Sequence, residues 1–494
     1  MNAGLRDPED QRVDKGLDKG LDKRADQGLD HGSLADSARR IATLAWPVLI
    51  GQLSVLAFST VDTLLVARYA AVDLAALAIG SSAYITVFIG FMGVVMAISP
   101  IVGQLFGAGQ QAQAGRQAHQ AVWVALGLSV VGSLLLAFPH PFLALSKATP
   151  EVADKVRGYL LVLAFSLPAS LMFTVYRGFN TAVSRPKAVM LIQLTGLALK
   201  IPLSAALVWG VPALGIAPMG VLGCAIATGI AMWAQALIAW QVVRRDPFYI
   251  PFELLGRGLD VPQRKSLGAH LRLGLPMGAA ILIEVSGFSF MAIFIARLGT
   301  TPVAGHQIAV NLVTLMFMVP LALGSACTTL VAQRVGARDA LGARRLAWHG
   351  LAIGCAVAAA LGAAVSIFDR RIVGLYTQDA VIAAAALPLI AWVALFHFVD
   401  AAQTVAAFVL RAWRIATVPL VVYAVALWGI GLGGGFTLAF DLTGHTPASL
   451  QGARGFWVTS TIGLIVAAVA LCGYMAWVLR RMSRESSVTP AASR

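Results

Sequence analysis

Asp62, Lys200, Glu284 and Asp400 are charged side chains that lie inside long apolar stretches of this 494-residue chain. An ionised group at the centre of a bilayer costs about 2.5–3.5 kcal/mol on insertion scales, so such residues usually bind an ion or a substrate. The alternative for each acid is a structural hydrogen bond to a neighbouring helix. We therefore treat these four residues as candidates for binding chemistry or for a buried charge pair.

Glu284 and Asp400 are predicted to reach a similar depth. Glu284 lies twelve residues after Arg272, roughly 18 Å at 1.5 Å per helical residue. Asp400 lies eleven residues before Arg411, roughly 16 Å by the same rise. Two carboxylates at matched depth could share a cation, either H⁺ or Na⁺. The alternative is that the two acids face separate polar neighbours.

Asp62 and Lys200 are predicted to form a pair. Lys200 lies thirteen residues past Lys187, roughly 20 Å deep, where an ammonium group needs a partner. Asp62 lies toward the opposite side of the membrane from Arg40, and it is the only intramembrane acid that we identify in the first half. An interfacial acid near Arg68 is the alternative for Asp62.

Aromatic and histidine residues are weaker candidates. Phe288, Phe290 and Phe294 follow Glu284 and could line a pocket for flat cationic ligands, although each could equally face lipid. Four histidines show no metal-ligand spacing, so we expect hydrogen-bonded helix residues, no metal centre and no cofactor: His119, His306, His349 and His397.

The composition of the chain shows which class of protein holds these candidate residues in position. The chain is 58% hydrophobic and 12% charged, with a mean hydropathy of +0.79, whereas soluble domains contain about 25% charged residues. The net charge of +14 is spread over short loops, where basic residues set membrane topology rather than bind nucleic acid. The chain is therefore a polytopic membrane protein, and its four cysteines are expected to be small buried side chains.

Twelve apolar segments predict twelve transmembrane helices, because helices satisfy their own backbone groups in lipid. They cover residues 41–66, 76–100, 118–137, 158–179, 188–209, 220–243, 271–297, 304–331, 346–367, 381–408, 416–438 and 455–479. The predicted domains are a disordered polar tail (1–38), a six-helix lobe (39–243), a linker (244–270), a second six-helix lobe (271–480) and a C-terminal tail (481–494). Basic residues concentrate on the side of the linker, which predicts a cytoplasmic linker and cytoplasmic termini.

The two halves repeat at a constant offset of 229 residues. Pro47 corresponds to Pro276, Gln104 to Gln333, and Gly107-Ala108 to Gly336-Ala337. Six helices per half make these parallel repeats. The acids break the repeat, since Glu284 corresponds to Val55. The scaffold is thus duplicated, while the charged positions are particular to each half.

These features resemble the multidrug and toxic compound extrusion family, and within it the NorM-like branch. The resemblance covers residues 40–480 and rests on LAWPVL and VDT in the first segment, GQLFGAG after the second, LGLP before Glu284, and VAGHQIAVN in the eighth. It implies a V-shaped pair of lobes around a central cavity, in a bacterial inner membrane. It also implies export of organic cations in exchange for Na⁺ or H⁺, by a protein that we expect to be monomeric.

The resemblance also implies roles for the acids. Glu284 and Asp400 would couple transport in the C-terminal lobe and Asp62 in the N-terminal lobe. That family usually has asparagines near Asp62, whereas this chain has Lys200 and Ser204. A fixed ammonium would compete with a coupling cation, which favours the C-terminal acids.

Three alternative functions remain open from sequence. An exporter of a lipid-linked or polar metabolite would be favoured by basic residues lining the cavity. A membrane-embedded enzyme would need a nucleophile–base or metal constellation, and we find no paired histidine motif. A channel is the third alternative, but two dissimilar acid-bearing halves suit alternating access better than they suit a symmetric pore.

Overall fold

The computed structural model describes residues 32–146, 148–255 and 258–488. This part of the chain contains twelve helices long and apolar enough to cross a membrane. They are α1 Leu34–Ala67, α2 Ala71–Gly107, α3 Gln111–Ala137, α4 Pro150–Ala182, α5 Pro186–Trp209, α6 Val221–Arg245, α7 Arg264–Ala296, α8 Thr300–Gly336, α9 Ala340–Ile367, α10 Ala380–Ala412, α11 Thr417–Ala439 and α12 Ala453–Val488. The all-α prediction with twelve spanning helices is therefore confirmed.

Several predicted boundaries need correction. The predicted tail over 1–38 falls mostly outside the described residues, but α1 already begins at Leu34, where Ser33 and Asp36 form a reciprocal capping box. That box satisfies backbone N–H groups which a helix start leaves free. At the other terminus, α12 continues to Val488 instead of ending at 480.

The connection between the halves is shorter than the predicted 244–270, because helix extends into it from both sides. It runs from residue 246 to residue 263 and includes a short 3₁₀ helix, Pro247–Phe252. Asp246 bonds to the Phe248 amide and pairs with Arg185 at 2.6 Å. The Phe248 amide and then the Arg185 guanidinium hold the pKa of Asp246 below its usual value. We call the end of the helix bundle that carries this connection the linker end.

Each half has its own hydrophobic core, but α1 and α7 contribute to both halves. The N-terminal core includes Val66 at the far end of α1, whereas Ile41 at its start packs in the core of the second half. In the same way, Met277 of α7 packs against Ile101 of α2, and Ile295 packs in its own half. The two helices thus cross between the lobes as a related pair.

The 229-residue repeat is visible as a reciprocal contact at the linker end, which we call the glutamine–glycine latch (Gln104, Gly107, Gln333 and Gly336). The amide of Gln104 donates to the carbonyl oxygen of Ala412 at 2.7 Å, and the amide of Gln333 donates to that of Ala182 at 2.7 Å. A Cβ atom on Gly107 would lie 1.9 Å from the Gln333 carbonyl oxygen, and one on Gly336 would lie 1.8 Å from that of Gln104. Only glycine permits this backbone approach.

Hydrogen bonds between the lobes share one location. Within the described residues, they join the linker-end parts of the two halves, as in Thr329 to the Thr181 carbonyl and His349 with Ser37. Gln117 of α3 likewise bonds to Ser266 at the start of α7. The lobes are therefore closed against each other at the linker end.

Candidate functional site

Glu284 of α7 and Asp400 of α10 line the same small cavity in the second lobe. The cavity has a volume of about 40 Å³. Asp400 is only 5% exposed, and Glu284 is half-buried. The other lining residues are largely apolar: Gly287, Phe288, Met291, Phe396, Leu427, Leu432, Ser460 and Leu464. The structure therefore brings together the two acids that sequence placed at matched depth.

A hydrogen-bond chain orients Asp400. The Gln403 amide donates to Asp400 Oδ1 at 2.9 Å and to Thr404 Oγ1 at 3.0 Å. Tyr423 of α11 donates in turn to Gln403 Oε1. Because Gln403 is fully buried, this chain fixes its amide in the orientation that gives Asp400 a donor. The sequence signal that we missed is Gln403, one turn after an intramembrane acid.

Helix α11 changes its winding where it covers this cavity. Residues Ala424–Gly433 form a π-helical segment between two α-helical pieces. Leu427 and Leu432 of this segment line the cavity, and the indole N–H of Trp428 donates to the Ile283 carbonyl at 3.1 Å. π-Helical turns are rare and often occur at functional sites. The change was not predicted from sequence, where the run of glycines in WGIGLGGG is the signal that could have found it.

Only one of the three phenylalanine candidates lines the acid cavity in the described structure. Phe288 lines the acid cavity and packs edge-to-face on Phe396, with ring centroids 5.9 Å apart. Phe290 and Phe294 do not line that cavity within the described structure. Phe290 packs on Trp428 and is 40% exposed, and Phe294 packs on Phe436 and Phe456. Helical geometry explains the difference, because residues two apart point to different faces.

Asp62 and Lys200 form a buried ion pair in the first lobe. Lys200 Nζ lies 2.6 Å from Asp62 Oδ2, and the two side chains are 1% and 9% exposed. The ammonium also donates to the Phe58 carbonyl at 3.3 Å and lies 4.6 Å from the Phe58 ring centroid. The predicted partner of Lys200 is thus in place, and α1 and α5 carry one charge each.

Two residues of α6 also interact with this pair. Cys224 and Thr228 interact with the Asp62 carboxylate. Asp62 Oδ1 and the buried Ser204 hydroxyl have no hydrogen-bond partner among the described residues. The ammonium of Lys200 supplies the compensating charge that the buried Asp62 carboxylate needs.

A second acid of the first half was overlooked. Asp73, in the first turn of α2, is 2% exposed, accepts from Lys155 Nζ at 2.9 Å, and accepts from the Val221 amide at 2.8 Å. It therefore joins α2, α4 and the start of α6, and Asp62 is not the only buried acid of that half. The sequence prediction began the second segment at 76, which placed Asp73 in a loop.

A larger cavity lies between the lobes and contains two arginines that sequence analysis did not select. Its volume is about 110 Å³, and α1, α2, α4, α5, α7, α8 and α10 all contribute to its wall. Arg177 and Arg411 line it together with apolar and uncharged polar side chains. Arg177 lies inside a predicted apolar segment and could have been found by that criterion, whereas Arg411 looked like a topology marker.

The histidines are mostly hydrogen-bonded, as predicted. His119 contacts the Leu254 carbonyl, His349 contacts Ser37, and His306 accepts from the Trp457 indole. His397 is the exception, since neither ring nitrogen has a partner among the described residues. Nowhere in the described ranges do three or more His, Cys, Asp or Glu side chains form a group that could hold a metal ion.

Fold and site together define a polytopic membrane protein of two repeated six-helix lobes with lobe-specific buried charges. The chain belongs to the MatE family, whose model matches residues 47–206 and again residues 276–437. The two matches begin 229 residues apart, which is the offset of the repeat.

Curated bacterial relatives match almost the whole chain. A probable multidrug resistance protein NorM of Aromatoleum aromaticum is 38% identical over 91% of this chain and 95% of its own length. The multidrug resistance protein PmpM of Pseudomonas aeruginosa is 35% identical over 90% and 93%. With twelve spanning helices, these relatives identify a multi-pass inner-membrane protein.

Solved structures show the same fold. An outward-facing multidrug resistance MATE family transporter has a TM-score of 0.81 at 20% identity, covering 92% of this chain and 97% of its own. A eukaryotic MATE transporter gives a TM-score of 0.80 at 20% identity, covering 92% and 98%.

Proposed function

We propose that this protein is a secondary active multidrug exporter that moves organic cations out of the cell in exchange for H⁺ or Na⁺. The observation that carries the proposal is that Glu284 and Asp400, from different helices, line one largely apolar cavity. Two carboxylates in such surroundings need a neutralising cation. A coupling ion and the positive charge of a drug can fill that role in turn. The names of the curated relatives support the drug substrates.

The C-terminal lobe is the proposed coupling lobe. Asp62 already has an ammonium partner at 2.6 Å, whereas the described ion pairs do not include Glu284 or Asp400. Asp400, Arg411 and Gln403 are close enough to act electrostatically on Glu284. The charge on Glu284 can therefore respond to both the coupling ion and the neighbouring arginine.

The lining of the acid cavity favours H⁺ as the coupling ion. Hard metal cations are bound in proteins by several oxygen ligands. Here the lining residues with side-chain oxygen atoms are Glu284, Asp400 and Ser460, and the remainder are glycine, aliphatic, aromatic or methionine. A proton needs only the carboxylates. A single chain contains both lobes and both acids, which supports a monomeric transporter.

We propose that the linker end lies in the cytoplasm with both termini, because basic residues concentrate in the loops on that side. Closure of the lobes at that end then describes a state sealed from the cytoplasm. Export by alternating access requires a second state in which the glutamine–glycine latch is open, because the lobes must part there to admit substrate.

One observation favours a second candidate, an exporter of a polar or lipid-linked metabolite. Basic residues in the central cavity are the feature that such a substrate would need, and Arg177 and Arg411 line the interlobe cavity. Competition between organic cations and acidic metabolites for binding to the purified protein separates the two candidates.

Replacing Glu284 by Gln tests the proposal. In inside-out vesicles with an imposed pH gradient or, separately, a Na⁺ gradient, the parent should accumulate a fluorescent organic cation and the variant should not. The matched control is Glu253→Gln, which changes an exposed acid of the connection and should transport normally. Parent-level transport by a correctly inserted Glu284→Gln protein would refute the role of Glu284.

A further inference from the structure

The interlobe cavity presents positive charge on an otherwise uncharged wall. Apart from Arg177 and Arg411, its polar lining consists of uncharged serine, threonine and glutamine side chains. Among the described residues, no acidic side chain lines it. Apolar residues complete the wall, including Met92, Met277 and Phe408. A cavity of this composition repels a bare organic cation, so it needs an explanation beyond cation export.

Neither arginine has an ion-pair partner within the described structure. Arg411 is only 8% exposed, and its guanidinium lies 4.2 Å from the centroid of the Phe408 ring. The buried Nε of Arg177 lacks a hydrogen-bond partner among the described residues. Glu284 acts on Arg411 electrostatically, but it lines the separate acid cavity. Donor capacity is therefore left over in this cavity.

A guanidinium group presents N–H donors in a planar fork that matches a carboxylate. Two such groups from opposite lobes, α4 and α10, face the same space of about 110 Å³. That space exceeds the roughly 10–15 Å³ that one water molecule needs, so it can admit a small anionic group. An anion here would also join the two lobes electrostatically.

We propose that Arg177 and Arg411 form an anion subsite that binds the carboxylate of zwitterionic aromatic substrates. This inference rests on the proposed export function, since it specifies a class of exported molecules. A substrate that carries both charges would place its carboxylate between the arginines, while its cationic group is the charge that Glu284 and Asp400 exchange against the coupling ion. Zwitterionic and acidic amphiphiles would then be recognised better than their esters.

The test uses a matched pair of ligands, an aminoxanthene dye with a free benzoate group and its methyl ester. Binding of each dye to the purified protein in nanodiscs is measured by fluorescence anisotropy without any gradient. In Arg177→Gln and Arg411→Gln, the dissociation constant of the acid divided by that of the ester should rise at least about tenfold. Arg264→Gln, an exposed arginine at the start of α7, is the control and should keep the parent ratio.

A measurement on the parent alone covers the case in which an arginine variant does not fold. Benzoate should displace the acid dye at concentrations that leave the ester bound. The proposal is overturned if both folded variants keep the parent ratio, if the parent binds only the ester, or if chloride competes as well as benzoate.

Failure of this inference differs from failure of the export proposal. Gradient-driven export of the ester by the parent, with an arginine-independent binding ratio, would refute only the anion subsite. An arginine-dependent ratio without gradient-driven export of either dye would support the subsite and refute export.

Discussion

At the scale of single residues, the two lobes treat their buried acids differently. Asp62 is neutralised by the side chain of Lys200, whose Nζ lies 2.6 Å from Asp62 Oδ2. Glu284 and Asp400 share a cavity and take part in none of the described ion pairs, and in the proposed mechanism a mobile cation neutralises them. A fixed partner makes a charge pair structural, whereas an exchangeable partner allows it to couple transport. We therefore expect Asp62 to serve stability and the C-terminal pair to serve coupling.

The Lys200–Asp62 pair can be tested by a double-mutant cycle. Lys200→Ala and Asp62→Ala should each destabilise the protein by about 3–5 kcal/mol, because each leaves one buried charge without its partner. The double variant should recover much of this loss. Unfolding in detergent is the measurement, with exposed Lys187→Ala as the control. Strictly additive losses would show that the two residues do not interact, and would leave Asp62 available for a coupling cation.

Gln403 should matter through the hydrogen bond it gives to Asp400. Gln403→Leu removes the donor at 2.9 Å from Asp400 Oδ1 and leaves Tyr423 without its acceptor. A buried polar group left unpaired costs about 1–3 kcal/mol, so the unfolding temperature in detergent should fall. The control is Gln451→Leu, at an exposed position in the loop before α12. Equal stability of the two variants would contradict the assigned hydrogen-bond chain.

At the scale of helices, the repeat supplies the glutamine–glycine latch that closes the lobes at the linker end, as well as the scaffold of each lobe. The 229-residue offset relates Gln104 to Gln333 and Gly107 to Gly336, and these residues contact each other crosswise at the interface, with Gly107 against Gln333 and Gly336 against Gln104. The backbone repeats there too, since Gly109 and Arg338, which are separated by the same offset, both have positive φ, 72° and 59°. Each lobe contributes one glutamine and one glycine, so the same kind of contact forms in both directions across the interface.

Gly107→Val should hold the latch open. Its side chain would collide with the Gln333 carbonyl, which lies 1.9 Å from the position of a Cβ atom. Thr329 is buried between the lobes, so a cysteine at that position reports closure. Thiol labelling of Thr329→Cys in inside-out vesicles should increase when Gly107→Val is added. Gly127→Val, where a Cβ meets nothing within 4 Å, should not change labelling, and equal labelling with Gly107→Val would disprove the latch.

At the scale of the whole molecule, two crossing helices tie the lobes together. The start of α1 packs in the second lobe, and the start of α7 packs on the first. Both starts lie at the linker end, where the interlobe hydrogen bonds of the described residues are also found. The lobes can therefore separate at the opposite end while these contacts stay closed.

The orientation of the whole molecule can be tested by labelling from one side. Lys265→Cys at the linker end and Arg371→Cys near the opposite end are both exposed positions. An impermeant thiol reagent added to intact cells should label Arg371→Cys and leave Lys265→Cys unlabelled. The parent, with four cysteines that are buried or half-buried, gives the background. The reverse pattern would invert the proposed topology.

Much of this architecture follows from sequence. The twelve helices could be predicted because lipid contains no water, so each apolar segment must satisfy the hydrogen-bonding groups of its own backbone. The repeat was readable from one constant offset. The pairing of Lys200 with Asp62 followed from the cost of an isolated ammonium in apolar surroundings. The shared depth of Glu284 and Asp400 followed from the fixed rise of a helix.

Tertiary structure alone decided which residues face one another between helices. Depth is a single coordinate, so it could not distinguish Phe288, which lines the acid cavity, from Phe294, which packs on Phe456. It could not show that Gln403 orients Asp400, or that Arg177 and Arg411 meet in one cavity. These relations depend on the rotation of each helix about its axis. That rotation is set by packing against neighbouring helices, which are distant in sequence.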